Sequence, residues 1–331
     1  MNDDFLNGKK SLNWGLIGCG DIVQKRVGPA LRDLDNCNLV AVARANSSKA
    51  EECAKRFDAA RWYGNWKELI GDNDVEAVYI ATPPYLHESQ TVSAAEMGKH
   101  IVCEKPMSLS VDSCKRMIDA AKANGVSLSI AYYRHFYPII RRVKEILNEG
   151  IIGKPVVVDL KAFEYFDIKR GDSRDWLVEL DKAGGGPLMD FGCHRIEVLI
   201  NLFGSDNVES VKGVNRNIIF NREVEDTSVG IVSFSGSVTA MLTVTTGVYE
   251  SMDSLDIFGS RGSIRIPKLN GDLLVLRVGG KEIVENHPAH PNLHQPYIEA
   301  VTEAILNGSP IPVDGEYAME VNRVIEGIYS D

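Results

Sequence analysis

An acid and an imidazole stand four residues apart in a segment with a helical pattern. Residues 184–187 open this segment and Gly204 ends it, so Asp190 and His194 lie on one helix face, one turn apart. Both side chains can therefore point toward one small molecule. An imidazole can move a proton near neutral pH, and a carboxylate can hydrogen-bond a hydroxyl or support a cation. The alternative is an intrahelical contact that only stabilises the helix.

A lysine in the first half of the chain is the third group suited to chemistry. Lys105 follows the apolar run 100–103 and precedes Pro106, so its backbone favours extended geometry over helix. An amine at the carboxyl end of a strand can hold and polarise a substrate oxygen and share in proton transfer. A surface lysine at a strand end is the alternative.

The elements that must position these groups begin with an apolar run, residues 12–17, which is typical of a buried strand. Gly18 and Gly20 break the run, and a helical pattern follows. Gly18 permits a tight turn. Gly20 lets the backbone approach a diphosphate, which the free N–H groups and the dipole of the helix attract. In the dinucleotide-binding motif G-x-G-x-x-G, a third glycine follows at the position that Val23 occupies here. An ordinary strand–turn–helix is therefore the alternative.

A second apolar run, residues 39–43, ends in a basic stretch. In a dinucleotide-binding unit, a carboxylate at the end of this strand binds the 2′-hydroxyl of NAD, whereas a cation accommodates the 2′-phosphate of NADP. Arg44 ends the run and Lys49 follows. No acidic residue lies between Arg44 and Glu51. The pattern favours NADP and leaves NAD possible. A solvated loop is the alternative.

Apolar runs and helical patterns alternate through residues 11–131, which indicates a parallel, doubly wound sheet in an α/β domain. The third run, residues 75–81, ends in a segment with Thr82, Pro83 and His87. Prolines force an irregular loop there, at the sheet edge where ligands bind. We therefore expect these three residues to belong to a cofactor site.

Composition limits the class of protein. A chain of 331 residues suits two domains, and 44% hydrophobic with 25% charged residues is usual for a soluble protein. A net charge of −10 argues against a nucleic-acid partner or an anionic membrane surface. No apolar run approaches the ~18–20 residues that cross a bilayer, and residues 1–10 show no signal-peptide pattern.

Neither the cysteines nor the histidines predict a metal site. The six cysteines contain no C-x-x-C pair, which indicates reduced thiols in a cytoplasmic protein. His287, His290 and His294 have a metal-like spacing, but they lie in a proline-rich stretch without alternating carboxylates or thiolates.

Three motifs in the first half resemble the glucose–fructose oxidoreductase, inositol dehydrogenase and MocA family. They are the glycine turn with Asp21 and Ile22, the stretch from Thr82 to His87, and Glu104-Lys105-Pro106. The likeness continues through Asp175-Trp176 and residues 184–194 and covers about residues 11–331. The resemblance implies that Asp21, Ile22, Glu104 and Lys105 belong to the cofactor site. It further implies that Lys105, Asp190 and His194 are catalytic.

The family's second domain is an open, mostly antiparallel sheet with helices on one side. Strand-like stretches between residues 156 and 278, several with alternating Thr, Val and Ser, agree with such an α+β domain at residues 132–331. Residues 1–10 are expected to form a disordered tail. The resemblance implies a homodimer or homotetramer that forms through the exposed sheet face.

Three further positions fall where family members contact substrate. They are Arg134, Tyr165 and Trp176, and their guanidinium and aromatic groups suit a polyol. Core packing is the alternative for Trp176.

These features together predict a cytoplasmic oxidoreductase that favours NADP and acts on a sugar, inositol or related cyclic polyol. The nicotinamide carries the hydride, while the protein aligns the substrate carbon and handles the proton. One alternative is an NAD-using glycoside hydrolase of the same fold, which cleaves a glycosidic bond through transient oxidation. Another is a non-catalytic cofactor-binding sensor, although such proteins usually lose the lysine or the histidine. The substrate, the reaction direction and the oligomer size stay open.

Overall fold

The computed structural model describes residues 9–169, 171–236 and 238–330, so most of the expected tail lies outside the described residues. Contacts divide the chain into two units. The first extends to Tyr133 and includes His290–Met319, and the second contains Arg134–Ala289 and the residues from Glu320 on. The sequence-based boundaries assign 132–331 to one domain, whereas residues 290–319 belong to the first unit by their contacts.

The α-helices occupy both units. They are α1 Gly28–Asp33, α2 Ser47–Arg56, α3 Trp66–Ile70, α4 His87–Glu96, α5 Val111–Ala123, α6 Pro138–Asn148, α7 Leu180–Ala183, α8 Cys193–Phe203, α9 Gln295–Asn307 and α10 Gly315–Tyr329. Two π-helical segments, Val23–Val27 and Leu188–Gly192, immediately precede α1 and α8.

The strands form two sheets. They are β1 Leu12–Ile17, β2 Cys37–Ala43, β3 Arg61–Tyr63, β4 Ala77–Ile80, β5 His100–Cys103, β6 Leu128–Ile130, β7 Pro155–Tyr165, β8 Val208–Arg216, β9 Thr227–Phe234, β10 Val238–Thr245, β11 Gly247–Gly259, β12 Gly262–Ile266, β13 Leu273–Val278 and β14 Lys281–Asn286.

The first unit contains a six-stranded parallel sheet in the order β3-β2-β1-β4-β5-β6. Its central strands are almost continuously apolar and buried, because helices cover both faces of such a sheet. The chain progresses from β1 to β3 and then reverses direction across the sheet from β4 to β6. The switch point therefore lies between β1 and β4, and ligands bind beyond the carboxyl ends of the strands at such a point.

The segment of residues 290–319 completes the first unit. The side chains of Tyr297, Ile298 and Val301 on α9 are fully buried, and α9 packs against α1. Tyr297 Oη lies 2.8 Å from the hydroxyl of Ser129 on β6. Asn292 Nδ2 donates to the carbonyl of Arg26 at 2.8 Å. Side chains that are distant in sequence thus join this segment to the parallel sheet.

The second unit contains an eight-stranded mixed sheet in the order β14-β13-β12-β11-β7-β10-β9-β8. All neighbours are antiparallel except β7 and β10, which run parallel. Side chains alternate between buried and more exposed along β9 and β10, so one sheet face is covered. The α/β class, with a doubly wound parallel sheet and a second, mostly antiparallel sheet, is therefore confirmed.

No helix in the described ranges is long and apolar enough to cross a membrane. All six cysteines lie in these ranges, and none of them forms a disulfide bond.

Candidate cofactor and substrate site

The turn after β1 accommodates only glycine at its first position. Gly18 has φ +103°, and a Cβ there would lie 2.5 Å from the carbonyl oxygen of Ala81. The Gly18 amide donates to the carbonyl of Ala43 at 2.9 Å. The turn is therefore held between the ends of β2 and β4, at the switch point of the sheet.

The second glycine of the turn borders open space. A Cβ added at Gly20 would meet no atom within 4 Å. The helical residues that follow begin at Asp21, and Gln24 N donates to Gly20 O at 3.1 Å. The first amides of a helix have no intrahelical acceptor, so Asp21 and Ile22 present donors beside this space. An anionic diphosphate fits the space and the donors. The exposed carboxylate of Asp21 pairs with Lys25 at 2.9 Å.

A cation is fixed directly beside this turn. Arg44 follows β2, and its Nη1 donates to the carbonyl of Cys19 at 3.0 Å. Asn46 caps α2 by accepting from the amide of Lys49 at 3.0 Å, and the Lys49 side chain is exposed in the first turn of that helix. The end of β2 therefore presents a guanidinium, an ammonium and a helix N-terminus to an incoming anion.

The loop after β4 is held by a buried histidine. Thr82 Oγ1 donates to Gln90 at 2.6 Å, and Pro83 precedes a short 3₁₀ turn, Pro84–Leu86. His87 is fully buried, with Nε2 2.8 Å from the Thr82 carbonyl and Nδ1 3.0 Å from the Pro106 carbonyl. Burial lowers the pKa of His87. Its ring holds two loops at the carboxyl edge of the sheet. His87 would therefore affect a bound cofactor indirectly, by fixing the position of these loops.

Glu104 forms a buried network next to Lys105. Its carboxylate accepts from Tyr79 Oη at 2.9 Å and from the Lys105 amide at 3.3 Å, and His294 Nε2 lies 3.4 Å away. Burial would raise the pKa of Glu104, but His294, Lys105 and Tyr79 outweigh burial and lower it. The aromatic ring of Tyr133 lies 4.0 Å from that of His294. A buried anion thus fixes the backbone of Lys105, whose side chain is partly exposed.

His294 is a functional candidate that the sequence analysis considered only as a metal ligand. It is fully buried at the start of α9, 190 residues beyond Glu104. The other two histidines of that stretch have different neighbours. His287 pairs with Glu285 at 2.7 Å, and His290 Nδ1 lies 2.9 Å from the Asn292 carbonyl. No group of three or more potential metal ligands occurs in the described ranges.

The acid and the imidazole of the second unit differ in their surroundings. Asp190 lies in the π-helical segment before α8, and His194 lies in the first turn of α8. The expected regular helix is therefore π-helical before Cys193. The side chain of Asp190 is 28% exposed and lies 3.5 Å from Arg174 Nη2, whereas His194 is only 3% exposed.

A shallow cleft lies beside Asp190, and its cavity volume of about 20 Å³ is space for about one water molecule. Its walls include the aromatic and aliphatic side chains of Phe166, Leu177 and Phe191. Arg222 also lines it and donates to the carbonyls of Phe166 and Ile168 at 3.3 and 3.1 Å. The lining thus combines apolar side chains with the carboxylates of Asp190 and Glu225, which can accept hydrogen bonds from hydroxyl groups.

The three further positions expected to contact substrate lie in different surroundings within the second unit. Arg134 is 4% exposed and donates to Asn270 Oδ1 at 3.0 Å. Tyr165 is 54% exposed at the end of β7, with its ring 5.8 Å from that of Phe220. Trp176 is partly exposed, and its neighbours Leu177 and Val178 line the cleft. Lys105 belongs to the first unit, and Asp190 and His194 belong to the second.

Comparison with models of known protein families shows to which family the chain belongs. Residues 12–132 match the model described as an oxidoreductase family with an NAD-binding Rossmann fold, and residues 140–265 match the GFO/IDH/MocA C-terminal domain. The chain belongs to the GFO/IDH/MocA oxidoreductase family. The resemblance of the sequence motifs is thereby confirmed, and the protein is an NAD(P)-dependent oxidoreductase.

Known GFO/IDH/MocA proteins match nearly the whole chain. Oxidoreductase P35 of Formosa agariphila is 30% identical over 321 residues, which are 95% of this chain and 97% of that protein. The 1,5-anhydro-D-fructose reductase of Ensifer adhaerens is 28% identical and covers 88% of this chain and 87% of its own. The structure of an aldose–aldose oxidoreductase from Caulobacter crescentus, complexed with glycerol, superimposes with a TM-score of 0.87 at 27% identity and 96% coverage of both chains.

Proposed function

We propose that this GFO/IDH/MocA protein prefers NADP and transfers a hydride between the nicotinamide and a hydroxyl or carbonyl carbon of a sugar, inositol or related cyclic polyol. The contact between Arg44 and the carbonyl of Cys19 is the main support for the cofactor preference, because it fixes a cation beside the glycine turn. A carboxylate in that place would instead favour the ribose hydroxyls of NAD.

Residues around the parallel sheet would hold the dinucleotide. The turn of Gly18 and Gly20 would receive the diphosphate, and Arg44 with Lys49 would bind the 2′-phosphate. The loops that contain Thr82 and Glu104 follow β4 and β5, the first and second strands on one side of β1, at the carboxyl edge where the nicotinamide would lie. When bound, the nicotinamide supplies or accepts the hydride.

The side chains of the protein would handle the proton. Oxidising an alcohol carbon removes a proton from its oxygen, and reducing a carbonyl adds one. Lys105 would hold and polarise that oxygen, and His194 would take or return the proton. Asp190 would accept a hydrogen bond from the same or the adjacent hydroxyl, after a substrate displaces its contact with Arg174.

Two observations support a ring-shaped polyol as the substrate. The cleft beside Asp190 has aromatic and aliphatic walls, which suit the apolar face of a sugar ring. Two of the similar proteins, by name, reduce 1,5-anhydro-D-fructose or act on aldoses.

We also propose that the protein is a homodimer or homotetramer that forms through the second sheet. Its less covered face presents large apolar side chains. Val229, Ile231 and Met241 are 39%, 45% and 41% exposed, and they alternate with buried residues. Contiguous apolar surface of this kind is typical of a protein–protein contact.

The decisive experiment is turnover of a panel of aldoses, inositols and 1,5-anhydro-D-fructose with each cofactor, followed by the absorbance of reduced nicotinamide. We expect Lys105→Ala to lower kcat by about 10²–10³-fold, because it removes the cation that would polarise the substrate oxygen. The cofactor Kd should stay within about threefold, since the glycine turn and Arg44 are intact. Lys115→Ala is the matched control, because Lys115 is an exposed lysine of α5 that pairs with Asp112. Unchanged turnover in Lys105→Ala would refute the assignment.

A further inference from the structure

The glycines before the Asp190 helix have a role that their sequence pattern does not reveal. A Cβ at Gly185 would lie 2.1 Å from Tyr329 Oη, and a Cβ at Gly186 would lie 1.9 Å from the carbonyl oxygen of Glu225. Neither distance is compatible with a side chain. Two residues distant in sequence therefore contact the backbone of this segment directly.

Glu225 binds the first amides of the segment. Its Oε2 accepts from the Gly186 amide at 2.7 Å, and its Oε1 accepts from the Leu188 amide at 3.2 Å. Tyr329 Oη donates to the same Oε1 at 2.9 Å, and Ser228 Oγ donates to it at 3.4 Å. A carboxylate here is favoured by the positive end of the helix, although burial raises the pKa of Glu225.

The same backbone leads directly to Asp190. The Asp190 amide donates to the carbonyl of Gly186 at 3.1 Å. Gly186 therefore bonds to Glu225 through its amide and to Asp190 through its carbonyl. Gly186, Asp190 and Glu225 all line the cleft of the second unit. Movement of Gly186 would therefore change where the Asp190 carboxylate lies in that cleft.

We infer that Glu225 and Tyr329 are positioning residues, which hold the start of the helical segment so that Asp190 meets the substrate in a productive geometry. The inference rests on the proposed function, because it assigns Asp190 to substrate binding. Glu225 need not touch substrate for this role. Misplacement of a reacting group by about 1 Å can cost about 10²-fold in rate.

The variants Glu225→Gln and Tyr329→Phe test this inference. Glutamine keeps the size of the side chain but presents an amide that cannot accept from both backbone amides, so we expect kcat to fall about 10²-fold. Tyr329→Phe removes one hydrogen bond to the carboxylate and keeps the ring, so we expect a fall of about 3–10-fold. The loss should fall mainly on kcat, since Glu225 would act through Asp190, and the cofactor Kd should change less than about threefold, because the first unit is unaltered.

Glu223→Gln is the matched control. Glu223 accepts from the Leu180 amide at 3.1 Å and so caps α7, which contains none of the proposed catalytic groups. A double variant gives a readout that loss of stability would not produce. In an Asp190→Asn background, Glu225→Gln should lower kcat by less than about threefold, since the group that it positions is already lost.

Two results would overturn the inference. One is wild-type kcat in Glu225→Gln. The other is an equal kcat loss from Glu225→Gln with and without Asp190→Asn, which would indicate general damage to the fold. Hydrogen exchange of the peptide 184–192 gives a test that needs no substrate, because Glu225→Gln should speed exchange there and Glu223→Gln should not. A wild-type protein inactive on the whole panel would contradict the proposed function, and the exchange result would still decide whether Glu225 holds this segment.

Discussion

Alanine at each of the two glycines of the first turn should separate folding from cofactor binding. At Gly18 the backbone has φ +103°, and a Cβ would lie 2.5 Å from the carbonyl of Ala81. At Gly20 the φ angle lies outside the left-handed region and no atom lies within 4 Å of an added Cβ. The first substitution therefore conflicts with the protein itself, and the second conflicts only with a ligand in the open space.

The magnitudes follow from these two environments. Left-handed backbone costs an L-residue roughly 1–2 kcal/mol, and the contact with Ala81 adds to this, so Gly18→Ala should lower the free energy of unfolding by about 2 kcal/mol or more. Gly20→Ala should leave it unchanged or raise it by about 0.5 kcal/mol, since alanine restricts the unfolded chain. Loss of one hydrogen bond to a charged diphosphate costs about 1.5–3 kcal/mol, which weakens the cofactor Kd by roughly 10–150-fold.

Calorimetric titration with NADP⁺ and NAD⁺, together with urea unfolding, measures both effects. Gly20→Ala should weaken both cofactors equally, because the diphosphate is common to them. Wild-type affinity for both cofactors in a fully folded Gly20→Ala protein would show that the dinucleotide does not pass this glycine.

Three further predictions concern selectivity, pH and assembly. Arg44→Asp should shift the ratio of the two Kd values toward NAD by about 10–100-fold, because it replaces the cation proposed to bind the 2′-phosphate; an unchanged ratio would refute that role. The Arg142 guanidinium and His287 hold the pKa of Glu285 at about 2, below its usual 4.5, so the pair stabilises the fold above pH 4.5 and loses this effect as the pH falls toward 2. Arg142→Met should therefore cost about 1–3 kcal/mol at pH 7 and less at pH 3, measured by urea unfolding; an equal cost at both pH values would contradict this. Ile231→Lys should reduce the mass found by light scattering to that of a smaller assembly, because it buries a charge in the proposed contact; an unchanged oligomer would place the contact elsewhere.

Local sequence patterns were sufficient for the architecture of the first unit. Alternation of apolar runs with helical periods predicts parallel strands, since strands covered on both faces are apolar throughout. The spacing of Gly18 and Gly20 predicts a turn at the strand end, and the structure has that turn at the switch point. The basic residue after β2 likewise predicts a cation near the turn, and Arg44 bonds to Cys19 there.

Contacts between distant residues could not be predicted in the same way. His294 lies beside Glu104, and Tyr329 lies beside Gly185, yet neither pair has a spacing or periodicity that links its members. The return of residues 290–319 to the first unit has the same cause, because packing of α9 depends on the tertiary surface that it meets. The sequence pattern also gives no sign of the π-helical geometry before Cys193, nor of the contacts that Gly185 and Gly186 make with Tyr329 and Glu225.

The most direct test of the proposed function is the stoichiometry between product and reduced cofactor when the wild-type protein converts a sugar in the presence of NADP⁺. We expect one reduced nicotinamide for every molecule of oxidised sugar, and one oxidised nicotinamide for every carbonyl reduced when NADPH is supplied. Product that forms with no net change in the redox state of the cofactor would contradict the account and would indicate bond cleavage through transient oxidation instead.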